Sequence, residues 1–434
     1  MAENTREIVL DTLLELEREK EFSHKLVKSV LDKYNYLEER DKAFIKRLAE
    51  GTIERTIELD YHLNRYSSVP VRKMKPLIRC LMRMSAYQIL YMDSVPDSAA
   101  CNEAVKLAQK RKFQNLKGFV NGVLRALSRN KGNLIFPDQT REKKEYLSVR
   151  YSMPMWIVQM WCDTYGAEET EQMLAGLLAV HPVTVRFVTT LPEEEKKQLL
   201  HQMEQEGVRA TQAEELPYLY YMENTENPAL LPGFAEGKFV IQDKTSCMAV
   251  EAAKICEKDF VVDLCAAPGG KTMLAAEKAR EVLSRDVSEY KCAYIEENVA
   301  RMQLQNVRIQ VHDATEWDET LVEKADVVLA DVPCSGLGVM GKKRDIKYHA
   351  SLEKIADLVE LQRQIIQASW EYVKKGGILL YSTCTISRGE NEKQVRWILD
   401  HFPFELEEER QFLPSQGIGD GFYFARLRRK DENC

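Results

Sequence analysis

The sequence predicts an α/β protein: a doubly wound, mainly parallel sheet domain in the second half of the 434 residues, preceded by an all-α bundle and a small α+β connector. Three observations carry this. From Gly237 onward, short apolar β-branched runs alternate with helical runs, the pattern of a parallel sheet with crossover helices. The first buried run, Phe260 to Leu264, leads through Ala-Ala-Pro-Gly-Gly-Lys271 into the strong helix formers Thr-Met-Leu-Ala-Ala. A glycine turn between strand and helix lets a ligand approach the backbone at the carboxyl end of the first strand. The first 138 residues carry helical periodicity and no strand pattern.

Taken in order, Asn4 with Glu7 three residues on reads as a capping box ahead of an amphipathic face from Ile8 to Leu16. Further helices are expected over 23–34, 39–64, 74–92, 98–110 and 114–129, giving an all-α domain over 1–138. A connector over 139–236 follows, with a helical region around Trp156, Trp161 and Tyr165, a strand at 183–190, a charged helix at 193–206 and a further strand from Gly207. The sheet domain, 237–434, opens on a strand-like lead-in, Phe239 to Asp243, and a helix over 246–256. Its strands are expected at 260–264, 281–285, 307–311, 325–330 and 377–382, with a long helix over 352–374 and another over 389–401. A closing pair lies around Phe404 and over 421–427.

No apolar run approaches the roughly 20 residues of a membrane span, and Met-Ala-Glu-Asn-Thr-Arg-Glu has no signal-peptide character. A cytoplasmic protein is expected. Ten cysteines without a C-x-x-C pair argue against structural zinc, and no metal is expected. The net charge of −7 hides an asymmetry. Residues 1–140 hold 25 Lys and Arg against 19 Asp and Glu, a balance of +6, which leaves −13 for the remainder. Residues 65–83 carry Arg65, Arg72, Lys73, Lys75, Arg79 and Arg83 with no acid; residues 100–135 carry eight basic residues against Glu103 alone. Two such runs in one domain of an acidic protein point to a phosphate-binding surface.

Acids recur just past successive strand ends: Asp286, Asp313 and Asp331. In an open α/β sheet these ends line one crevice. An acid after the second strand suits a ribose diol, and Asp313 suits an adenine amino group. The turn is neither G-x-x-x-x-G-K-S/T nor G-x-G-x-x-G, so nucleoside triphosphates and dinucleotides match poorly. S-adenosylmethionine, a nucleoside without phosphates, fits. The cofactor-binding residues expected are Cys265, Ala266, Ala267, Pro268, Gly269, Gly270, Lys271, Asp286, Asp313 and Asp331.

Asp263-Leu-Cys-Ala-Ala-Pro-Gly-Gly-Lys-Thr272, Asp331-Val-Pro-Cys-Ser-Gly336 and Tyr381-Ser-Thr-Cys-Thr385 resemble the motifs of RNA cytosine-5 methyltransferases. Lys342 to Tyr348, Gly389-Glu-Asn391 and Asp420 to Ala425 match further motifs. The leading bundle is similar to the NusB RNA-binding fold. That pairing resembles the Sun/RsmB subfamily and covers nearly the whole chain. The resemblance implies a Rossmann-like class I S-adenosylmethionine-dependent methyltransferase domain behind a NusB-like bundle. It implies small-subunit ribosomal RNA, free or partly assembled, as partner, position 967 of that RNA as target, and a monomer. Two departures stand out. The second strand ends Ser-Arg-Asp-Val instead of running apolar into Asp286. The connector has Val183-Thr-Val-Arg-Phe-Val where the family tends to have Arg-Val-Asn.

The chemistry asks for these residues. Carbon 5 of cytosine is a poor nucleophile until a thiolate adds to carbon 6, and a base must later take the carbon-5 proton. By resemblance Cys384 is the nucleophile, Cys334 assists release, and Asp331 contacts the base or the cofactor's methionine end. Lys271 would favour the Cys384 thiolate by its charge. Cys265 is expected to serve through its backbone. DNA cytosine enzymes use a Pro-Cys nucleophile, and amino-methylating enzymes carry D/N-P-P-Y/F, which Asp331-Val-Pro-Cys334 is not. The alternatives left open are another RNA cytosine-5 target, such as a tRNA or a second ribosomal site, and a non-catalytic RNA-binding assembly factor.

Overall fold

The computed structural model describes residues 4–19, 22–225, 227–417 and 419–431; Met1 to Glu3 and Cys434 lie outside them. The chain forms two compact units. One comprises the chain to Leu178 together with Met340–His349, and the other comprises Ala179–Val339 and the chain from Ala350.

In the first unit, helices span Thr5–Glu19, Ser23–Lys33, Glu39–Glu54, Thr56–Tyr66, Pro76–Tyr91, Asp97–Lys110 and Lys117–Asn130, followed by Lys143–Arg150, Met155–Tyr165 and Ala167–Leu178. Asn4 caps the first as its motif suggests, its Oδ1 accepting from the N–H of Arg6 at 3.0 Å and of Glu7 at 3.3 Å. Leu10, Leu48, Leu59, Leu63, Leu81, Leu124 and Leu127 are fully buried in one core, each worth about 1.5–3 kcal/mol of transfer free energy. The single helix expected over 39–64 is two. It breaks at Arg55 because the Ser152 hydroxyl accepts from the N–H of Ile57 at 2.9 Å and so starts a second helix.

The packing units cut the chain elsewhere than at 138 and 236. Residues 143–178 are helical and pack with the bundle, so the α+β region proper begins only near 180. The motif stretch Lys342–Tyr348 also packs with these helices, although it lies between two sheet strands in sequence. Arg344 pairs with Glu50 at 2.5 Å and Glu54 at 2.8 Å. Asp345 accepts from the N–H of Ser23, and the Tyr348 hydroxyl donates to the carbonyl of Ile53 at 3.0 Å. Lys347 is 3% exposed and donates to the carbonyls of Glu54 at 2.8 Å and Ser152 at 2.7 Å.

The second unit holds two sheets. The smaller is antiparallel, in the order β2 (Arg209–Gln212), β3 (Leu219–Glu223), β1 (Val183–Phe187), β4 (Phe239–Ile241). Strand β3 has no counterpart in the sequence reading. Strand β4, expected to lead into the main sheet, instead pairs with β1, Phe187 opposite Phe239, and both rings are buried in the connector core. The larger sheet has seven strands in the order β10 (Phe404–Phe412), β11 (Phe422–Arg429), β9 (Val373–Thr383), β8 (Ala325–Asp331), β5 (Phe260–Asp263), β6 (Glu281–Asp286), β7 (Val307–Val311). Strands β5 to β9 run parallel and β10 and β11 antiparallel to their neighbours, which gives the Rossmann-like order with its closing pair. Two apolar layers cover its faces, one built around Val261, Leu274 and Leu380 and the other around Val262, Ile365 and Leu379. The helix expected over 352–374 ends at Ser369, because Val373 already pairs with Ala325 and β9 starts there. No helix among the described residues is long and apolar enough to cross a membrane.

Burial, with Arg55 and Arg344 nearby, pushes the Lys347 amine down to about 7 from its ordinary 10.5. An unfolded chain keeps that proton up to about pH 10.5, so between pH 7 and 10.5 the unfolded state binds more protons and rising pH favours the fold. Urea unfolding of wild type and Lys347→Met should therefore diverge in favour of wild type by about 1–3 kcal/mol between neutral pH and about pH 9.5, and run parallel below pH 7. A difference that does not change with pH would contradict this.

Candidate active site

Strand β5 is buried along its length and ends at Asp263. The N–H of Ala266 then bonds the carbonyl of Arg285 at 2.9 Å, which tacks the turn to β6. Gly269 sits at φ +102°, where a side chain is strained, and its N–H closes on the carbonyl of Ala266 at 2.7 Å before the helix Gly270–Ala276 begins. Asp286, 4% exposed at the end of β6, accepts from the N–H of Ala267 at 3.0 Å through Oδ2 and from Lys291 at 3.1 Å through Oδ1. Its carboxylate thus holds the glycine turn. Asp313 is exposed, and its Oδ1 is occupied by the N–H and hydroxyl of Thr315 at 2.9 and 2.7 Å; those bonds hold the carboxyl below its usual range.

The polar end of β6 is satisfied inside the fold. The Ser284 hydroxyl meets that of Thr272 at 2.9 Å, and Arg285 is buried against Asp318 and Gln310. In the connector, fully buried Arg186 pairs with Glu277 at 2.5 Å and donates to Gln242 Oε1 at 2.8 Å. Gln242 in turn faces the glycine turn.

Strands β8 and β9 lie side by side with Asp331 opposite Ser382, so the loops beyond them run together. They bring the Sγ of Cys334 and Cys384 to 3.3 Å. Asp331 accepts from the Ser382 hydroxyl at 2.8 Å and pairs with Lys271 at 2.7 Å. Glu390, fully buried, takes the N–H and hydroxyl of Ser335 at 2.7 and 2.6 Å. The Ser335 hydroxyl also reaches that of Thr385 at 2.7 Å, and Gln362 donates to the carbonyl of Pro333 at 2.9 Å. The Gly338 N–H donates to the carbonyl of Cys384 at 3.1 Å, and a Cβ there would lie 1.7 Å from the carbonyl oxygen of Gly421. Only glycine allows that approach.

A cavity of about 240 Å³ opens here, walled by Cys265 to Pro268, Gly270, Lys271, Asp331 and Cys384, with Gln242, Asp243, Asp420 and Phe422 completing the rim. Cys334, Asp286, Gly269 and Asp313 are not among its lining residues. Asp263, also in the wall, is fully buried; Thr272 donates to its Oδ2 at 2.7 Å, while Oδ1 has no hydrogen-bond partner. Burial pushes its carboxyl up to about 7. Burial alone would push the Lys271 amine down, but Asp331, Asp263 and Cys384 together raise it, so the ammonium persists. Its attraction to a Cys384 thiolate is mutual. The hydrogen bond to Cys384 and burial push the Cys334 thiol well up, which favours its protonated form. Burial pushes Cys265 up as well, in keeping with a role through its backbone. An open acceptor on Asp263, a ring at Phe422 and an exposed turn of backbone suit a cationic nucleoside such as S-adenosylmethionine. Among the described residues no group of three or more His, Cys, Asp or Glu could hold a metal ion.

Sequence reasoning missed Asp263, Asp243, Asp420 and Phe422 as cavity residues and Glu390 and Gly338 as supports. The signal is present in Asp420-Gly-Phe and Gly389-Glu-Asn, which on their own read as a strand and a motif. Of the basic runs, Arg79, Arg83, Lys106, Lys110, Arg111 and Lys131 are paired with Glu17, Asp60, Glu103, Glu7, Asp11 and Asp97. Arg72, Lys73, Lys75, Lys112, Lys117, Arg125 and Arg129 are exposed, and no described carboxylate pairs with them. Lys75 lies 5.4 Å over the ring of Phe113, which joins the two runs in one surface.

Sheet order, glycine turn and cysteine pair together define a class I methyltransferase. A family model for 16S rRNA methyltransferase RsmB/F matches residues 251–428, and one for the NusB family matches 3–129. The probable ribosomal RNA small subunit methyltransferase B of Bacillus subtilis is 33% identical, over 98% of this chain and 99% of that protein. Ribosomal RNA small subunit methyltransferase B of Proteus mirabilis is 32% identical, over 91% and 92%. The crystal structure of PH0851 superposes with a TM-score of 0.80 at 25% identity, over 98% of this chain and 99% of that one. The chain belongs to the RsmB/F family of 16S rRNA methyltransferases and is an S-adenosylmethionine-dependent RNA methyltransferase.

Losing Asp286 frees the N–H of Ala267 and slackens the turn. Asp286→Ala should weaken S-adenosylmethionine binding by about 1–3 kcal/mol in calorimetry. Unchanged affinity would mean that Asp286 does not hold the turn for the cofactor.

Proposed function

We propose that the protein methylates carbon 5 of a cytosine in small-subunit ribosomal RNA, position 967 of the 16S molecule, through a covalent Cys384–carbon 6 adduct. The observation that carries this reading is Cys384 in one cavity wall with the Asp331–Lys271 ion pair, its sulfur 3.3 Å from that of Cys334 behind it. Cys384 faces the same space as the acid and the ammonium.

The glycine turn from Cys265 to Lys271, with Asp263 behind it, would hold S-adenosylmethionine, which supplies the electrophilic methyl group that carbon 5 takes. The residues of the chain do the rest. Cys384 adds to carbon 6 as the thiolate, favoured by the Lys271 ammonium. Asp331, held by Lys271 and Ser382, presents a carboxylate to the N3/N4 edge of the base. A base takes the carbon-5 proton after methylation, the freed electron pair re-forms the carbon 5–carbon 6 double bond, and the Cys384–carbon 6 bond breaks with Cys384 leaving as the thiolate. Cys334 assists this release. The target base must leave its stack to enter a cavity of this size. The unpaired cations around Arg72, Lys73, Lys112 and Lys117 would hold the neighbouring phosphates. We place this activity in the cytoplasm, with a monomer acting on free or partly assembled ribosomal RNA.

The two cysteines should fail differently. Cys384→Ala should give neither adduct nor product. Cys334→Ala should still attack and transfer but release poorly, and so accumulate protein joined to RNA as a slow band in denaturing electrophoresis. The reverse pattern would make Cys334 the nucleophile.

Replacing Arg72, Lys73, Lys112 and Lys117 by Gln should weaken RNA binding and reduce the slope of log affinity against log salt by about one for each phosphate no longer neutralised. Filter binding across a salt series reads both. An unaltered slope would mean that the RNA lies elsewhere.

A further inference from the structure

The mechanism gives Cys334 and Cys384 separate duties, yet their sulfurs stand 3.3 Å apart with no group between them. A disulfide needs about 2.05 Å, so the two side chains need to close by roughly 1.3 Å in total. The two loops leave adjacent strands. Strands β8 and β9 are hydrogen-bonded neighbours, with Asp331 opposite Ser382 and the N–H of Val332 on the carbonyl of Ser382 at 3.1 Å. Both thiols are half-buried rather than sealed, and Cys384 lines the open cavity beside the Lys271 ammonium. Of the other described cysteines, Cys80, Cys101, Cys247 and Cys292 are buried, and exposed Cys256 faces Asp259.

We propose that Cys334 and Cys384 form a reversible oxidation site, in which hydrogen peroxide entering the cavity converts the pair to a disulfide and switches methyl transfer off. Cys384 attacks one peroxide oxygen; the O–O bond breaks, a sulfenic acid forms on Cys384, and hydroxide leaves and is protonated to water. The Cys334 sulfur then attacks the Cys384 sulfur; the S–O bond breaks, the S–S bond forms, and the departing hydroxide leaves as water with the Cys334 proton. Two thiols lose two electrons, and one peroxide becomes two waters. Without a neighbouring thiol, a sulfenic acid at Cys384 would pass on to the irreversible sulfinic acid. Cys334 thus protects the nucleophile as well as serving release. The glycine turn is untouched, so the oxidised protein should keep its affinity for S-adenosylmethionine.

The test treats the full-length protein with hydrogen peroxide and maps its peptides under non-reducing conditions. The expected result is one cross-linked peptide pair joining Cys334 and Cys384, a mass loss of about 2 Da, cofactor binding within twofold of the reduced protein, and full reversal by dithiothreitol. In Cys334→Ser the same dose should carry Cys384 through the sulfenic acid to the sulfinic acid, which dithiothreitol does not reduce. Occupancy of the cavity by RNA should slow the cross-link. Absence of the linked peptide from oxidised wild type, or equal reversibility of Cys384 oxidation in Cys334→Ser, would overturn the proposal. The mapping needs no substrate, so a wrong assignment of the RNA target would leave it readable.

Discussion

The site depends on the parallel pairing of β8 with β9. That ladder sets Asp331 against Ser382, and it sends the two cysteine loops off the sheet at the same edge. Loops alone would not hold two sulfurs at 3.3 Å. Glu390 makes the arrangement rigid by accepting two hydrogen bonds from Ser335, while Gln362 holds Pro333 and Asn391 holds the carbonyl of Thr385. Bonds to a charged acceptor are worth about 1.5–3 kcal/mol each, and an unmet buried carboxylate costs more than that. Gly338 adds the last constraint, lying so close to the carbonyls of Cys384 and Gly421 that no side chain fits. The cysteine geometry is thus the outcome of a sheet register and a buried acid, both remote from the reacting atoms.

Charge is arranged around one cation. Asp331 and Asp263 are both set against Lys271, and its ion pair with Asp331 leaves Oδ1 of Asp263 without a hydrogen-bond partner. Burial raises this carboxyl to about 7, which favours its neutral form. The arrival of a cationic ligand favours its carboxylate form, so the site holds electrostatic affinity in reserve without keeping an uncompensated charge.

Much of this could be read from the chain, and the reason is locality. The turn from Asp263 to Thr272 and the two cysteine motifs are contiguous, and a strand followed by Pro-Gly-Gly or by Pro-Cys has few ways to fold. What escaped the sequence depended on distant partners. Phe239-Val-Ile reads as a strand, but three residues do not say which sheet they join, and Phe187 decides it. The helix expected through Lys374 stops at Ser369 because Ala325 offers Val373 a ladder. Residues 143–178 group with the bundle, where the Ser152 hydroxyl takes the N–H of Ile57, a long-range contact that composition does not reveal. Asp286 was legible as an acid at a strand end; that its carboxylate holds the N–H of Ala267 was not, since backbone donors are invisible in sequence. Asp243 and Asp420 meet at the cavity across 177 residues.

The central claim is that the methyl group goes to carbon 5. The most direct measurement uses small-subunit ribosomal RNA transcribed with cytosine carrying tritium at carbon 5 and unlabelled S-adenosylmethionine. Transfer to carbon 5 must expel that tritium, so label should appear in water one for one with methyl groups incorporated. Methyl incorporation with the tritium retained would put the methyl on a nitrogen or the ribose and contradict the account.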